Sequence, residues 1–266
     1  MADFFTSVPW NFRPVEMGND ATIIQGAGQG LGLALVTHIL KHQDDSMVVA
    51  TCRDPEKSSG LRKLKQKYTS RLITQKLDVS DEKSIASAST KLSMQIEHIS
   101  LLVNSSGILH DDSIYPEKRL ADISASNLAR SYAINAIGPI LVLKYFRPLI
   151  QRDKKSVIVN MSARVASIED NSLGGWYSYR SSKASLNQIT KTIAIEFARQ
   201  LPKSICVAFH PGSVNTRLSK PFQKAIPKEK LFAPDYAAAK MVAVIDNLTT
   251  TDNGSFLAWD GSNIPW

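Results

Sequence analysis

Apolar runs of strand length alternate with helix-length segments along almost the whole chain, and this alternation narrows the fold more than any other feature. The runs are Ala21 to Ile24, Met47 to Cys52, Leu72 to Leu77, Ile99 to Asn104, Ser156 to Met161 and Ser204 to His210. A seventh, Ser255 to Trp259, lies close to the C-terminus. Parallel neighbours need a long crossover, normally a helix, so the pattern predicts the α/β class: a Rossmann-type, doubly wound domain with a mostly parallel seven-stranded sheet. With 266 residues, 43% of them hydrophobic, the chain can fill one large core. It carries no repeat, low-complexity tract or linker. The expected division is an N-terminal arm, residues 1–20, and a single domain, residues 21–266.

In such folds a ligand sits beyond the carboxyl ends of the strands. Chemistry-bearing residues collect there: Gly26 after the first strand, Arg53 after the second, Asp78 after the third, Asn104 after the fourth, Ser162 after the fifth and Pro211 after the sixth. The first of these turns is a glycine run, Gly26-Ala27-Gly28-Gln29-Gly30-Leu31-Gly32, between a strand and a segment of helical spacing. Glycines let the backbone approach a pyrophosphate, whose charge is met by the free amides and dipole of the helix N-terminus. The spacing fits GxxxGxG at Gly26, Gly30 and Gly32; GxGxxG fails because Leu31 takes the last glycine's place.

Tyr179 and Lys183, in Tyr-Arg-Ser-Ser-Lys, stand four residues apart and share a helix face. Tyrosine is a poor acid at neutral pH, but a neighbouring ammonium favours the phenolate and makes proton exchange with a carbonyl or alcohol oxygen feasible. Either motif alone is common. Together they point to hydride transfer from a bound dinucleotide.

With these motifs the chain resembles the short-chain dehydrogenase/reductase family from Ala21 onward. Leu77-Asp78-Val79 stands where that family contacts adenine, and Asn104-Ser105-Ser106-Gly107 where it usually has Asn-Asn-Ala-Gly. Asn135, in Ile-Asn-Ala-Ile-Gly-Pro, matches the family's helix asparagine, and Pro211, Gly212, Val214 and Thr216 match its nicotinamide-side motif. The stretch from Gly174 to Asn187 and the ending after Ala258 look most like the C-factor/sniffer-like carbonyl reductase branch. The resemblance implies a cofactor site built from Gly26, Gly28, Gln29, Gly30, Leu31, Gly32, Arg53, Asp78, Val79, Asn104, Gly107, Tyr179, Lys183, Pro211, Gly212, Val214 and Thr216. It also implies proton transfer through Tyr179, Lys183 and Asn135, and a homodimer or homotetramer using the helices around Asn135 and Tyr179. Ile140, Leu141, Leu186, Ile189 and Ile193 give these helices more apolar surface than one exposed side needs, some of it facing the sheet and the rest open to such an interface.

Two kinds of departure stand out. Gln25 replaces the threonine usual before the first glycine, and Ser105 and Ser106 replace Asn and Ala. The family's catalytic serine, three residues after an asparagine like Asn160 or thirteen before the tyrosine, falls on Ala163 or Ala166, which have no hydroxyl. Ser162 is the nearer stand-in to orient a carbonyl and support its developing charge. Ser167 is the other. An alternative without turnover is a dinucleotide-binding signalling or sensor protein of the C-factor type.

Charge argues the cofactor. The second strand ends in neutral Cys52 followed by Arg53, where an NAD enzyme usually offers a carboxylate, so NADP is preferred over NAD. Arg53 could instead pair with Asp54 or Glu56. The formal charge of +8 is spread out, its densest run, Arg62, Lys63, Lys65 and Lys67, fitting a solvated helix face rather than a nucleic-acid patch. Cys52 and Cys206 form neither a disulfide framework nor a metal cluster. No run is long enough to span a bilayer, and the first twenty residues read neither as a secretory nor as a transit peptide. The expected setting is cytoplasmic, the partner a small carbonyl or alcohol, and the segment 217–232 a substrate lid.

Overall fold

The computed structural model describes residues 20–43 and 46–266. The expected arm therefore lies outside the described residues, except for Asp20, which opens the first strand. That strand, β1 (Asp20–Gln25), is followed by β2 (Met47–Cys52), β3 (Leu72–Lys76), β4 (His98–Asn104), β5 (Ser156–Met161) and β6 (Ser204–His210). Two short strands, β7 (Ser213–Val214) and β8 (Leu231–Phe232), pair with each other, and β9 (Phe256–Ala258) completes the main sheet. Its order is β3-β2-β1-β4-β5-β6-β9, and every neighbouring pair is parallel. The order reverses between β1 and β4, which opens a crevice at their carboxyl ends.

The apolar runs became strands because both faces are covered. Each of the six residues of β5 is buried, as a two-sided parallel strand requires. On one face α1 (Gly30–His42), α2 (Ser59–Lys67) and α7 (Pro234–Asp246) close a core around Leu35, Val48, Val207 and Met241. On the other, α3 (Glu82–Leu92), α5 (Gly138–Phe146) and α6 (Tyr177–Gln200) close a second around Ile85, Ile158, Phe146 and Phe197. Between β4 and α5, α4 (Ala125–Tyr132) runs into a π turn, Ala133–Ile137. Arg62, Lys63 and Lys67 on α2 are exposed, as a solvated face demands.

Expected strand ends move where a side chain captures the backbone. The third strand stops before Leu77, after which Asp78 Oδ1 accepts from the Ser80 amide at 2.9 Å. The last strand stops at Ala258, and Asp260 Oδ1 then accepts from the Ser262 amide at 3.1 Å. The apolar residues considered for a subunit interface divide accordingly: Leu186 and Ile193 are 1% and 9% exposed. Seven residues apart, they share the face of α6 that meets the sheet. Ile140, Leu141 and Ile189 are partly buried against the same core.

Polar rungs cross the otherwise apolar contact between α6 and β5. Lys183 Nζ donates to the Met161 carbonyl at 2.6 Å, Ser162 Oγ to Asn187 Oδ1 at 2.6 Å, and Asn160 Nδ2 to Thr190 Oγ1 at 2.9 Å. Asn104 Nδ2 extends the chain to β4 by donating to Asn160 Oδ1 at 2.8 Å. Replacing Asn160 with Ala leaves the buried Asn104 amide only its long bond to the Pro139 carbonyl, and is expected to cost about 1–3 kcal/mol in urea unfolding; a change inside a few tenths would show that the rung carries no weight.

Candidate active site

The glycine turn follows β1 directly and is anchored across the sheet, the amides of Gly26 and Ala27 both donating to the Thr51 carbonyl at 2.9 Å. Close approach explains two of its glycines. A Cβ on Gly32 would lie 2.3 Å from the Gly26 carbonyl oxygen, and one on Gly28 would lie 3.1 Å from Cys52 Cβ. Gln29 caps α1 without a side-chain hydrogen bond, and the first turn holds no acid, so the helix N-terminus is left for an outside anion. Thr216 faces this turn, 3.3 Å from where a Gly30 Cβ would stand. Gly212 has φ +78°, and a Cβ there would meet the Phe232 ring at 2.6 Å. Arg53 is exposed and makes no ion pair or hydrogen bond with another described residue; its neighbour Asp54 pairs with Lys57 at 3.1 Å. These residues could hold a dinucleotide, the free N-terminus of α1 being open to its phosphates and Cys52 and Arg53 standing at the end of the neighbouring strand.

Asp78 turns inward on Ser80, while Val79 is buried beneath Gly138, whose Cβ would sit 2.7 Å from the Val79 carbonyl. The Asn104 side chain is spent on Asn160 and the Pro139 carbonyl, leaving its backbone as its contribution to the crevice.

Tyr179 and Lys183 lie one turn apart on α6, 8% and 3% exposed. The Lys183 Nζ reaches Gly107, whose Cβ would stand 3.5 Å from it and 3.4 Å from Asn135 Oδ1. Lys183 and Asn135 thus meet at Gly107, and Tyr179 stands one helical turn before Lys183. Asn135 is fixed by the Ile108 backbone, accepting its amide at 2.8 Å and donating to its carbonyl at 2.9 Å, and by Ser182 Oγ at 3.0 Å. The π turn has a chemical cause: Pro139 has no amide hydrogen to return to the Asn135 carbonyl four residues earlier. Burial pushes the Tyr179 phenol well above its ordinary pKa and draws the Lys183 ammonium down to about 7. Desolvation therefore outweighs the expected help from the ammonium, and the tyrosine is held protonated.

Neither serine points freely into this space. The Ser162 hydroxyl donates to Asn187, whose Nδ2 has no partner. Ser167 Oγ donates to the Trp266 carbonyl at 3.2 Å and accepts the Asp170 amide at 3.0 Å, holding a turn and the chain end. The lid region folds into two short 3-10 turns, Lys220–Ala225 and Lys228–Lys230, followed by β8. Its Phe222 ring lies 4.8 Å from that of Trp176 at a tilt of 54°, and Trp176 meets the Tyr179 ring edge-on at 6.3 Å.

A sequence model described as short chain dehydrogenase matches residues 20–227. This chain belongs to that family. An uncharacterized oxidoreductase of Schizosaccharomyces pombe is 30% identical over 261 residues, 93% of this chain and 98% of the relative. The C-signal protein of Myxococcus xanthus is 31% identical over 147 residues, 55% of this chain and 83% of its own. Among solved structures, an NADPH-bound carbonyl reductase from chicken fatty liver superposes with a TM-score of 0.82 at 28% identity, covering 94% of this chain and 99% of that one. The protein is an NAD(P)-dependent oxidoreductase of the short-chain dehydrogenase type.

Within this family two departures from the usual pattern explain each other. Gln25 Nε2 donates to Ser106 Oγ at 2.7 Å, and its Oε1 accepts the Ser106 amide at 3.3 Å, so the pair ties β1 to the loop after β4. Sequence reasoning missed Glu117, Trp176 and His210. Trp176 carries φ +55°, the one positive value outside glycine among the described residues. His210 ends β6 with its Nδ1 buried and unpartnered among the described residues, and burial lowers its pKa to about 4. Only the Gly-Gly pair before Trp176 hinted at that turn.

The Lys183 shift has a thermodynamic consequence. Between about pH 7 and its unfolded value of 10.5 the unfolded chain holds one more proton at this site than the folded one, so stability rises with pH across that window. Scanning calorimetry without cofactor should show the wild-type melting temperature rising relative to Lys183→Met from about pH 7 to 9.5, below the range where Tyr179 titrates. A constant difference would mean that Lys183 keeps an ordinary pKa.

Proposed function

We propose that this dehydrogenase reduces a carbonyl compound with NADPH, or runs the reverse oxidation, at the crevice floored by Gly107. The observation that carries this reading is that buried Lys183 and Asn135 meet beside Gly107, with buried Tyr179 one helical turn from Lys183 on α6. When bound, the reduced nicotinamide supplies a hydride to the carbonyl carbon. Tyr179, protonated because it is buried, gives its proton to the carbonyl oxygen. Lys183, with a pKa near neutrality, returns a proton to the tyrosine and is close enough to the crevice floor to bind the ribose hydroxyls. The Asn135 carbonyl, released by Pro139, holds a water that resupplies Lys183 from solvent.

Ser162 is proposed as the hydroxyl that replaces the one missing at Ala163. A half-turn of the Asn187 amide would bring its unpartnered Nδ2 to Ser162 Oγ and free the serine proton for the substrate oxygen. The NADPH preference is supported by Arg53, which has no acidic partner among the described residues, and by the absence of a carboxylate at Cys52. Free Cys52 and Cys206 suit a cytoplasmic setting, and exposed Ile137 and Ile195 suit a homo-oligomer, which light scattering would decide. The sensor reading draws on the C-signal likeness and on Ala163. Against it stands an intact proton path, which a binding module has no use for.

NADPH consumption with a panel of aldehydes, ketones and quinones tests the reading. Tyr179→Phe should abolish turnover while leaving NADPH affinity nearly intact; full activity in that variant would end the mechanism. Ser162→Ala should slow turnover roughly a hundredfold, whereas Ser167→Ala should matter little. Arg53→Ala should weaken NADPH binding by about 1.5–3 kcal/mol in calorimetry and leave NADH unaffected. Equal affinity of the wild type for both cofactors would remove the preference.

A further inference from the structure

Glu117 is a buried carboxylate, 3% exposed, that forms no ion pair with a described residue. Burying such a group is costly unless its oxygens are matched. Both are committed to one residue: one accepts the Ser178 amide at 3.1 Å and the other its hydroxyl. The Glu117 carbonyl also accepts the Trp176 amide at 2.5 Å. All three bonds fall on the entry to α6, immediately before Tyr179.

That entry lacks a cap of its own. Trp176 occupies the N-cap position without a side-chain hydrogen bond, and the first turn of α6 contains no acidic residue. Ser178 is the second residue of the helix, whose amide an N-cap side chain would ordinarily satisfy. Here the acceptor arrives from a loop 61 residues earlier, and its negative charge meets the positive end of the helix dipole. Gly174, Gly175 and Trp176 are all left-handed, with φ of +65°, +67° and +55°. A tryptophan adopts that conformation only when its surroundings enforce it. The bond from its amide to Glu117 does so, and the ring is thereby set between Tyr179 and Phe222 of the lid.

We infer that Glu117 is a positioning residue for Tyr179: its carboxylate caps, through Ser178, the helix that carries the tyrosine, and that cap steadies the turn in which the Glu117 backbone carbonyl holds the left-handed Trp176. This rests on the proposed proton donation by Tyr179. Glu117 touches neither cofactor nor substrate and acts through Ser178 and Trp176.

The test compares Glu117→Ala, Glu117→Gln and Ser178→Ala in the full chain, with NADPH and whichever carbonyl probe the wild type reduces best. Glu117→Ala should lower kcat by about a hundredfold, since a misplacement of about an ångström costs that much. NADPH dissociation constants from fluorescence titration should stay within about twofold, because the cofactor's phosphates meet α1 rather than this loop. Glu117→Gln keeps an acceptor for the Ser178 amide and should recover most of kcat, as should Ser178→Ala, which keeps the backbone bond. Hydrogen exchange gives a readout independent of turnover: residues 174–182 should exchange about tenfold faster or more in Glu117→Ala while β5 and β6 keep their protection. An unchanged kcat in Glu117→Ala overturns the inference. So does a loss of kcat that only tracks the melting temperature, with no recovery in Glu117→Gln. A wild type that binds NADPH but reduces no probe defeats the functional reading instead; the exchange pattern then decides, and unchanged protection at 174–182 overturns the tether.

Discussion

The docking of α6 onto β5 through polar rungs is the constraint on which the rest of the site depends. An apolar helix–sheet contact fixes distance well and register poorly, because ridges of similar shape can slide past one another. Hydrogen bonds between buried side chains admit one register, since each slip leaves donors and acceptors unmatched. The rungs from Lys183, Asn187 and Thr190 fall at successive turns of α6 and meet three consecutive residues, Asn160 and Met161 of β5 and Ser162 just beyond it. One of the three is itself Lys183. The lysine thus belongs to the register device and to the proposed proton path, which ties the placement of Tyr179 to the carboxyl end of β5 as well as to the Glu117 loop.

The same interface sets the electrostatic character of the site. With the helix pressed against the sheet, water leaves the neighbourhood of both titratable groups, and burial moves their pKa values in opposite directions, tyrosine up and lysine down. Both shifts favour neutral forms. A protonated phenol beside an amine that titrates near neutrality is an arrangement suited to giving up a proton and regaining it without leaving a stranded charge in a dry pocket.

Much of the architecture was legible in the sequence because two-sided burial writes itself as continuous apolar runs, as in Val157 to Met161, and because Gly32 and Gly212 stand where no side chain fits. The convergence of Asn135, Lys183 and Gly107 was likewise readable, through motif order. What was not readable depends on contacts between distant segments. Nothing local marks Glu117 as the cap of α6, nor Asn187 as the partner of Ser162, because each bond is made only after the sheet has assembled. Which of the apolar helix residues face the sheet, as Leu186 and Ile193 do, was unreadable for a related reason: an apolar residue on a helix reads the same whether it meets the sheet or another subunit.

The hydrogen-bonded pair of Gln25 and Ser106 constrains how this chain can change over generations. Restoring the usual alanine at position 106 alone would leave the buried Gln25 amide without an acceptor, and restoring threonine at position 25 alone would strand the Ser106 hydroxyl. Each single step passes through a less stable protein, although the double change arrives at a pattern the family tolerates. The two positions are therefore expected to be inherited together, and a chimera that takes β1 from one relative and the loop after β4 from another would inherit the mismatch.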